Sequence, residues 1–188
     1  MSQPKPDAAG ARFAVLVIDM QKGILAETPD ANKAVLPKIN EVVAKARVAG
    51  VPVIWVQDSS YFQPGQDEYE VGEELEPRPE DIRMDKKYRD SFEGTVLGKE
   101  LERLGVHELV VCGGHTDYCL LTTCSSAFVR GYGVTLVADA HLTSDQTEWG
   151  KPAPEVIINF VNMYWDGMRA LGRRGAAIPA DEVTFETE

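Results

Sequence analysis

Apolar positions follow two rhythms along this chain. Four short stretches are apolar almost throughout: residues 13–18, 52–57, 108–112 and 134–138. Continuous apolarity over five or six residues marks strands buried on both faces. Elsewhere the spacing changes to three and four. Val35, Ile39, Val42, Val43 and Ala46 predict a helix within residues 31–49, ended by Gly50, its regular part starting near Pro37. Val96, Leu97, Leu101 and Leu104 predict a second over 95–104. Leu120, Leu121, Cys124, Ala127 and Phe128 predict a third, running to Arg130. A broad apolar face over 154–171, from Val156 to Met168, predicts the last. Residues 172–175 read as a basic turn and 178–185 as a short edge strand. Residues 58–83, with three prolines and two glycines, read as a long irregular excursion. Strand and helix alternate, so the fold class is α/β: a three-layer αβα arrangement around a doubly wound, mostly parallel, Rossmann-like sheet. Sites in such folds open beyond the carboxyl ends of the strands.

The 188 residues suffice for one domain, expected over 13–188, with 1–12 as a loose tail. A net charge of -11 argues against nucleic acid or an anionic membrane as partner. No apolar run approaches a membrane span, and the polar start lacks the apolar core of a secretory signal, so a cytoplasmic protein is expected. Three cysteines in such a chain do not form a disulfide framework. The acids of segment 67–81 read as a solvated insertion.

The stretch 110–119, Val-Val-Cys-Gly-Gly-His-Thr-Asp-Tyr-Cys, concentrates the chemistry. A buried strand runs into a glycine pair. Thr116 or Asp117 is placed to cap the helix that follows. Cys119 then falls in the first helical turn, where free N–H groups and the helix dipole favour a thiolate and supply donors for an oxyanion. Asp19, at the end of the first strand, is a second candidate, and Asp139 stands at another strand end. Cys112 and Cys124 read as core residues.

Three separated motifs carry a resemblance to the isochorismatase-like cysteine hydrolases. They are Phe13-Ala-Val-Leu-Val-Ile-Asp-Met-Gln21, Lys86-Lys-Tyr-Arg-Asp-Ser-Phe-Glu-Gly-Thr95, and residues 110–119 with the strand ending in Asp139-Ala140. The resemblance implies an Asp-Lys-Cys triad on Asp19, Lys86 and Cys119. It implies hydrolysis of a small amide or ureido C–N bond through a thioester, with Asp19 as general base and acid. It also implies a cis peptide between Gly114 and His115, and an oxyanion hole from the backbone N–H groups of His115 and Cys119. The motif departs in two places. Its serine is displaced by one residue, and Arg89 stands three after Lys86, where an aromatic is common. The place that carries Asp-x-His in metal-dependent relatives reads Gln57-Asp58-Ser59-Ser60, so no metal or other cofactor is expected. Family members commonly associate, so a homo-oligomer, dimer or tetramer, is expected.

Pocket candidates are Gln21, Tyr61, Tyr88, Phe92 and Trp149. Rival readings are a zinc cluster on Cys112, His115, Cys119 and Cys124, a Cys119–His141 pair, an isochorismatase-type vinyl ether hydrolase, and a member that binds a small molecule or partner without turnover.

Overall fold

The computed structural model describes residues 13–186; the tail expected over 1–12 lies outside them. Seven strands form one sheet in the order β3-β2-β1-β4-β5-β7-β6. They are β1 (Phe13–Ile18), β2 (Val53–Asp58), β3 (Ile82–Lys86), β4 (Glu108–Gly114), β5 (Gly133–Leu142), β6 (Arg169–Ala170) and β7 (Arg173–Ile178). All neighbours pair in parallel except β6 and β7, which form an antiparallel hairpin. Five helices join them: α1 (Lys22–Leu25), α2 (Pro29–Val48), α3 (Leu97–Arg103), α4 (Leu121–Arg130) and α5 (Pro154–Trp165).

Alternation along the strands splits the core in two. Ala14, Leu16 and Ile18 face the side covered by α3, α4 and α5, where Leu101, Ala127, Phe128 and Trp165 pack. Val15 and Val17 face α2, packing with Ile39, Val42 and Ala46. The αβα layering expected from the sequence is the one observed.

Several local expectations change. Pro37 lies inside α2, which starts at Pro29. Six buried residues on that helix, Val35 to Ala46, outweigh a proline cost of about 3 kcal/mol. The end of the 58–83 excursion is a strand, β3. The last helix stops at Trp165, not Leu171, and the strand expected over 178–185 lies instead at Arg173–Ile178, with β6 outside it at the sheet edge. Gly175 lets that strand close on α5: a Cβ there would meet the Trp165 ring at 2.8 Å. The acidic segment is only partly solvated. The Asp81 carboxylate is only 5% exposed, accepting from Arg47 at 2.7 Å and from Trp55 Nε1 at 2.9 Å.

The sheet order sets four strand ends side by side. Ile18 is level with Val56 and Gly113, and Asp58 with Lys86. Residues just past these ends therefore meet. Gly113 is essential to this closeness: its φ is +117°, and a Cβ would sit 2.1 Å from the Ile18 carbonyl oxygen. Gly113→Ala is expected to cost at least about 3 kcal/mol, through both the clash and the positive φ. A melting temperature equal to the parent's in thermal denaturation would refute this.

Candidate active site

Asp19 follows β1 with a φ of +52°, a left-handed turn that Asp adopts more readily than most residues. Period-two alternation in β3 points Met84 and Lys86 inward and leaves Asp85 and Lys87 exposed. The Lys86 side chain is completely buried. Its ammonium lies 2.8 Å from Asp19 Oδ2, 3.0 Å from Asp58 Oδ2 and 3.3 Å from Cys119 Sγ. Lys86, rather than Lys87, is thus the lysine that meets Asp19 and Cys119.

Asp58 is a member of this cluster that the sequence reading did not assign. Its carboxylate also accepts from the Ser60 N–H at 2.7 Å and from the Ser60 hydroxyl. Gln21 fixes its backbone, accepting from Asp58 N–H at 2.7 Å and donating to Asp58 O at 3.1 Å. Gln21 is therefore not a pocket residue. Both ends of its buried amide are spent on the main chain of Asp58.

The elbow differs from a plain strand-to-helix turn. The peptide between Gly114 and His115 is cis. Residues Thr116–Leu120 form a π-helical turn, and α4 begins only at Leu121. Cys119 thus precedes α4 instead of occupying its first turn. Neither expected cap forms. Thr116 Oγ1 pairs with His141 Nδ1 at 2.9 Å, and Asp117 accepts from Thr143 and Lys151 at 2.7 Å each.

Electrostatics overturn the expectation of a resting thiolate. Burial drives the Cys119 thiol up, the Asp19 carboxylate adds to this, and Lys86 only partly opposes them, leaving it at about 12. Burial also raises Asp19; Lys86 pulls it back, to about 6. For Lys86 burial acts downward, and the surrounding Asp19, Cys119 and Asp58 more than offset it, holding the amine charged. Asp58 is lowered: the Ser60 hydroxyl and Lys86 together exceed its burial penalty. Near neutrality the site therefore holds a thiol, two carboxylates and an ammonium. Asp19 Oδ1 is buried and accepts no hydrogen bond, so it stands open to take a proton.

Asp19, Asp58 and Cys119 also bring three donor atoms within 4.8 Å of one another, close enough to share a cation. The Lys86 ammonium touches all three and supplies that positive charge itself. The zinc reading fails on placement. Cys112 and Cys124 are both fully buried, in core clusters on opposite faces of the sheet. The Cys119–His141 pair also fails, because the His141 ring bonds Thr116 and Asn162.

A cavity of about 620 Å³ opens over the cluster. Tyr61 and Tyr88 line it, as do Phe62, Arg89, Tyr118 and Gln146, none of them named among the pocket candidates. Phe92 does not: it is buried, stacked on Tyr132 at 5.9 Å. Trp149 is 73% exposed and lies outside the cavity. Asp139 is also remote, its carboxylate accepting from Ala180 N–H at 2.7 Å.

Comparison with known proteins agrees with this architecture. The family model of the isochorismatase domain matches residues 13–151. The chain belongs to the isochorismatase family. Among its relatives is a streptothricin hydrolase of Streptomyces noursei, 35% identical over 74% of this chain and 59% of the relative, so the chain spans about three-fifths of that protein. A ureidoacrylate amidohydrolase of Pantoea ananatis is 25% identical over 72% of each chain. The crystal structure of a cysteine hydrolase from Pseudomonas syringae pv. phaseolicola 1448A matches with a TM-score of 0.80 and 25% identity, over 97% of this chain and 96% of that one. No helix among the described residues is long and apolar enough to cross a membrane.

A resting thiol has a kinetic signature. Iodoacetamide labelling of Cys119 is expected to accelerate continuously from about pH 7 to about pH 10, following the thiolate fraction. A plateau below about pH 8 would show an ionised sulfur at rest instead.

Proposed function

We propose that this isochorismatase-family member is a cysteine hydrolase that cleaves a small amide or ureido C–N bond. The observation that carries the reading is the buried Lys86 ammonium, 2.8 Å from Asp19 and 3.3 Å from Cys119 Sγ, with Asp19 and Cys119 lining an open cavity. The names of the relatives agree with this: a streptothricin hydrolase with hydrolysis, and a ureidoacrylate amidohydrolase with the amide bond class.

Asp19 is ionised near neutrality and takes the Cys119 proton as the sulfur attacks the carbonyl carbon. A C–S bond forms, and the carbonyl oxygen gains the negative charge. Backbone N–H groups of His115 and Cys119 are the donors assigned to that oxygen. Collapse of the adduct breaks the C–N bond, and Asp19 returns its proton to the leaving nitrogen. Water, deprotonated by Asp19, then attacks the thioester; the sulfur leaves and recovers the proton. Lys86 stays charged throughout and stabilises the anionic sulfur. No step requires a metal or other cofactor.

The same reading includes association. Val156, Phe160, Met163 and Tyr164 make an exposed apolar face on α5, which suits a second copy of this chain. Light scattering at micromolar concentration is expected to give at least a dimer.

Turnover of a panel of small amides and carbamoyl compounds tests the chemistry. Cys119→Ser is expected to lose activity by at least about 10³-fold with its circular dichroism unchanged, because a hydroxyl is a far weaker nucleophile under Asp19. Asp19→Asn should cost roughly 10²–10⁴-fold. Since the base must be ionised and its pKa is raised to about 6, kcat/KM should fall as pH drops through about 6 and level off above it. Full activity of Cys119→Ser would remove the covalent mechanism.

A further inference from the structure

Arg89 lines the cavity that holds Cys119, in the place where a resemblance to the family anticipates an aromatic. Its guanidinium carbon stands 4.4 Å from the centroid of the Tyr118 ring. Tyr118 and Cys119 line the same cavity, so this cation faces the space above the sulfur. The contact places the cation over an aromatic face, and a guanidinium carries a planar N–H fork that matches a carboxylate. Two of the carboxylates nearby are engaged elsewhere: Asp90 accepts from Ser126 at 2.7 Å and from its own loop, and Asp117 from Lys151 at 2.7 Å. Glu27 lines the same cavity, 3.8 Å from a His115 that burial keeps neutral, and faces Lys87 and Arg89 as one negative charge against two positive ones. Among the described residues Arg89 forms no ion pair. Exposed Lys87 lines the same cavity and adds a second positive charge.

The floor has the opposite sign. Asp19 and Asp58 share one ammonium, so it carries a net negative charge. We infer that Arg89 receives a carboxylate of the substrate, which makes the substrate a small amide or ureide that also bears an acid group. The inference rests on the reading of Cys119 as nucleophile, and it deepens that reading. The floor repels the acid while Arg89 attracts it, so the carboxylate points to the wall and the scissile carbonyl to Cys119.

Two alkylating reagents of nearly equal shape test this without turnover: iodoacetate, an anion, and iodoacetamide, which is neutral. In both, the Cys119 sulfur forms a bond to carbon and iodide leaves with the electron pair. Cys112 and Cys124 are fully buried, and Cys119→Ser supplies the blank. The iodoacetate-to-iodoacetamide rate ratio, relative to free cysteine, is expected to fall by about fivefold or more in Arg89→Gln, as loss of a nearby cation predicts. Arg89→Lys should restore part of it. An unchanged ratio in Arg89→Gln, or an equal loss for both reagents, overturns the inference. With hydrolysable substrates the same variant should raise KM for succinamate, keep kcat, and leave butanamide unaffected. Labelling needs no hydrolysis. A normal ratio drop with no amide turned over would sink the hydrolase reading alone, and turnover with an unchanged ratio would sink the anchor alone.

Discussion

The buried ammonium of Lys86 is the charge on which this site depends. Taking a lysine and two carboxylates out of water costs several kcal/mol per ion, and only close, complete pairing offsets it. The sheet supplies that pairing. The order β3-β2-β1 sets Lys86, Asp58 and Asp19 at adjacent strand ends, with 2.8 and 3.0 Å contacts. The supporting bonds follow the same logic. Gln21 clamps the Asp58 backbone, and Ser60 holds its carboxylate. Gly113 lets β4 approach β1 closely enough to bring the Cys119 turn over the cluster.

Two carboxylates on one ammonium separate holding from transferring. Burial keeps the Asp19 proton affinity near that of a base useful at neutral pH, while Asp58, with Ser60 donating to it, stays ionised. When Asp19 accepts a proton, Lys86 loses one partner. Asp58 remains, and the developing thiolate 3.3 Å away replaces the lost charge. In the proposed reaction the ammonium is therefore never left unpaired, and sulfur ionises only as Asp19 is neutralised. A free-standing thiolate, which a cysteine at a helix start would suggest, is disfavoured here by the Asp19 carboxylate beside it.

Much of this was legible along the chain, and the parts that were not share a cause. Buried strands such as Phe13–Ile18 and the glycine-to-cysteine elbow announce themselves by local pattern. Resemblance of motifs singled out Asp19, Lys86 and Cys119. Asp58 went unassigned because its role depends on which strands are neighbours, and no local spacing encodes that β2 lies between β1 and β3. The strand Ile82-Arg-Met-Asp-Lys86 alternates, but its inward face ends in a lysine, so the sequence pattern reads as solvated. The strand Arg173–Ile178 is masked by two arginines and small residues, which carry little strand signal. Gln21 and Phe92 were misplaced for a related reason. Motif position says that a residue is near the site, not whether its side chain turns toward the cavity or is spent on the main chain or core.

Floor and wall of the cavity come from different parts of the fold. The floor is made of strand ends tied together by buried charge, where single replacements strand an ion. The wall is made of connecting segments, around Tyr61 and Phe62, Tyr88 and Arg89, His115 and Tyr118, and Gln146, which the sheet does not constrain in the same way. Charge balance sharpens the distinction. The chain carries -11 overall, so its long-range field opposes the approach of an anion. Salt screens that field within about 8 Å under physiological conditions, whereas a guanidinium inside the cavity acts over contact distance. The proposed selection of an acid-bearing substrate by Arg89 is thus a short-range event. It can be exercised at the wall without altering the protonation of the four groups on the floor.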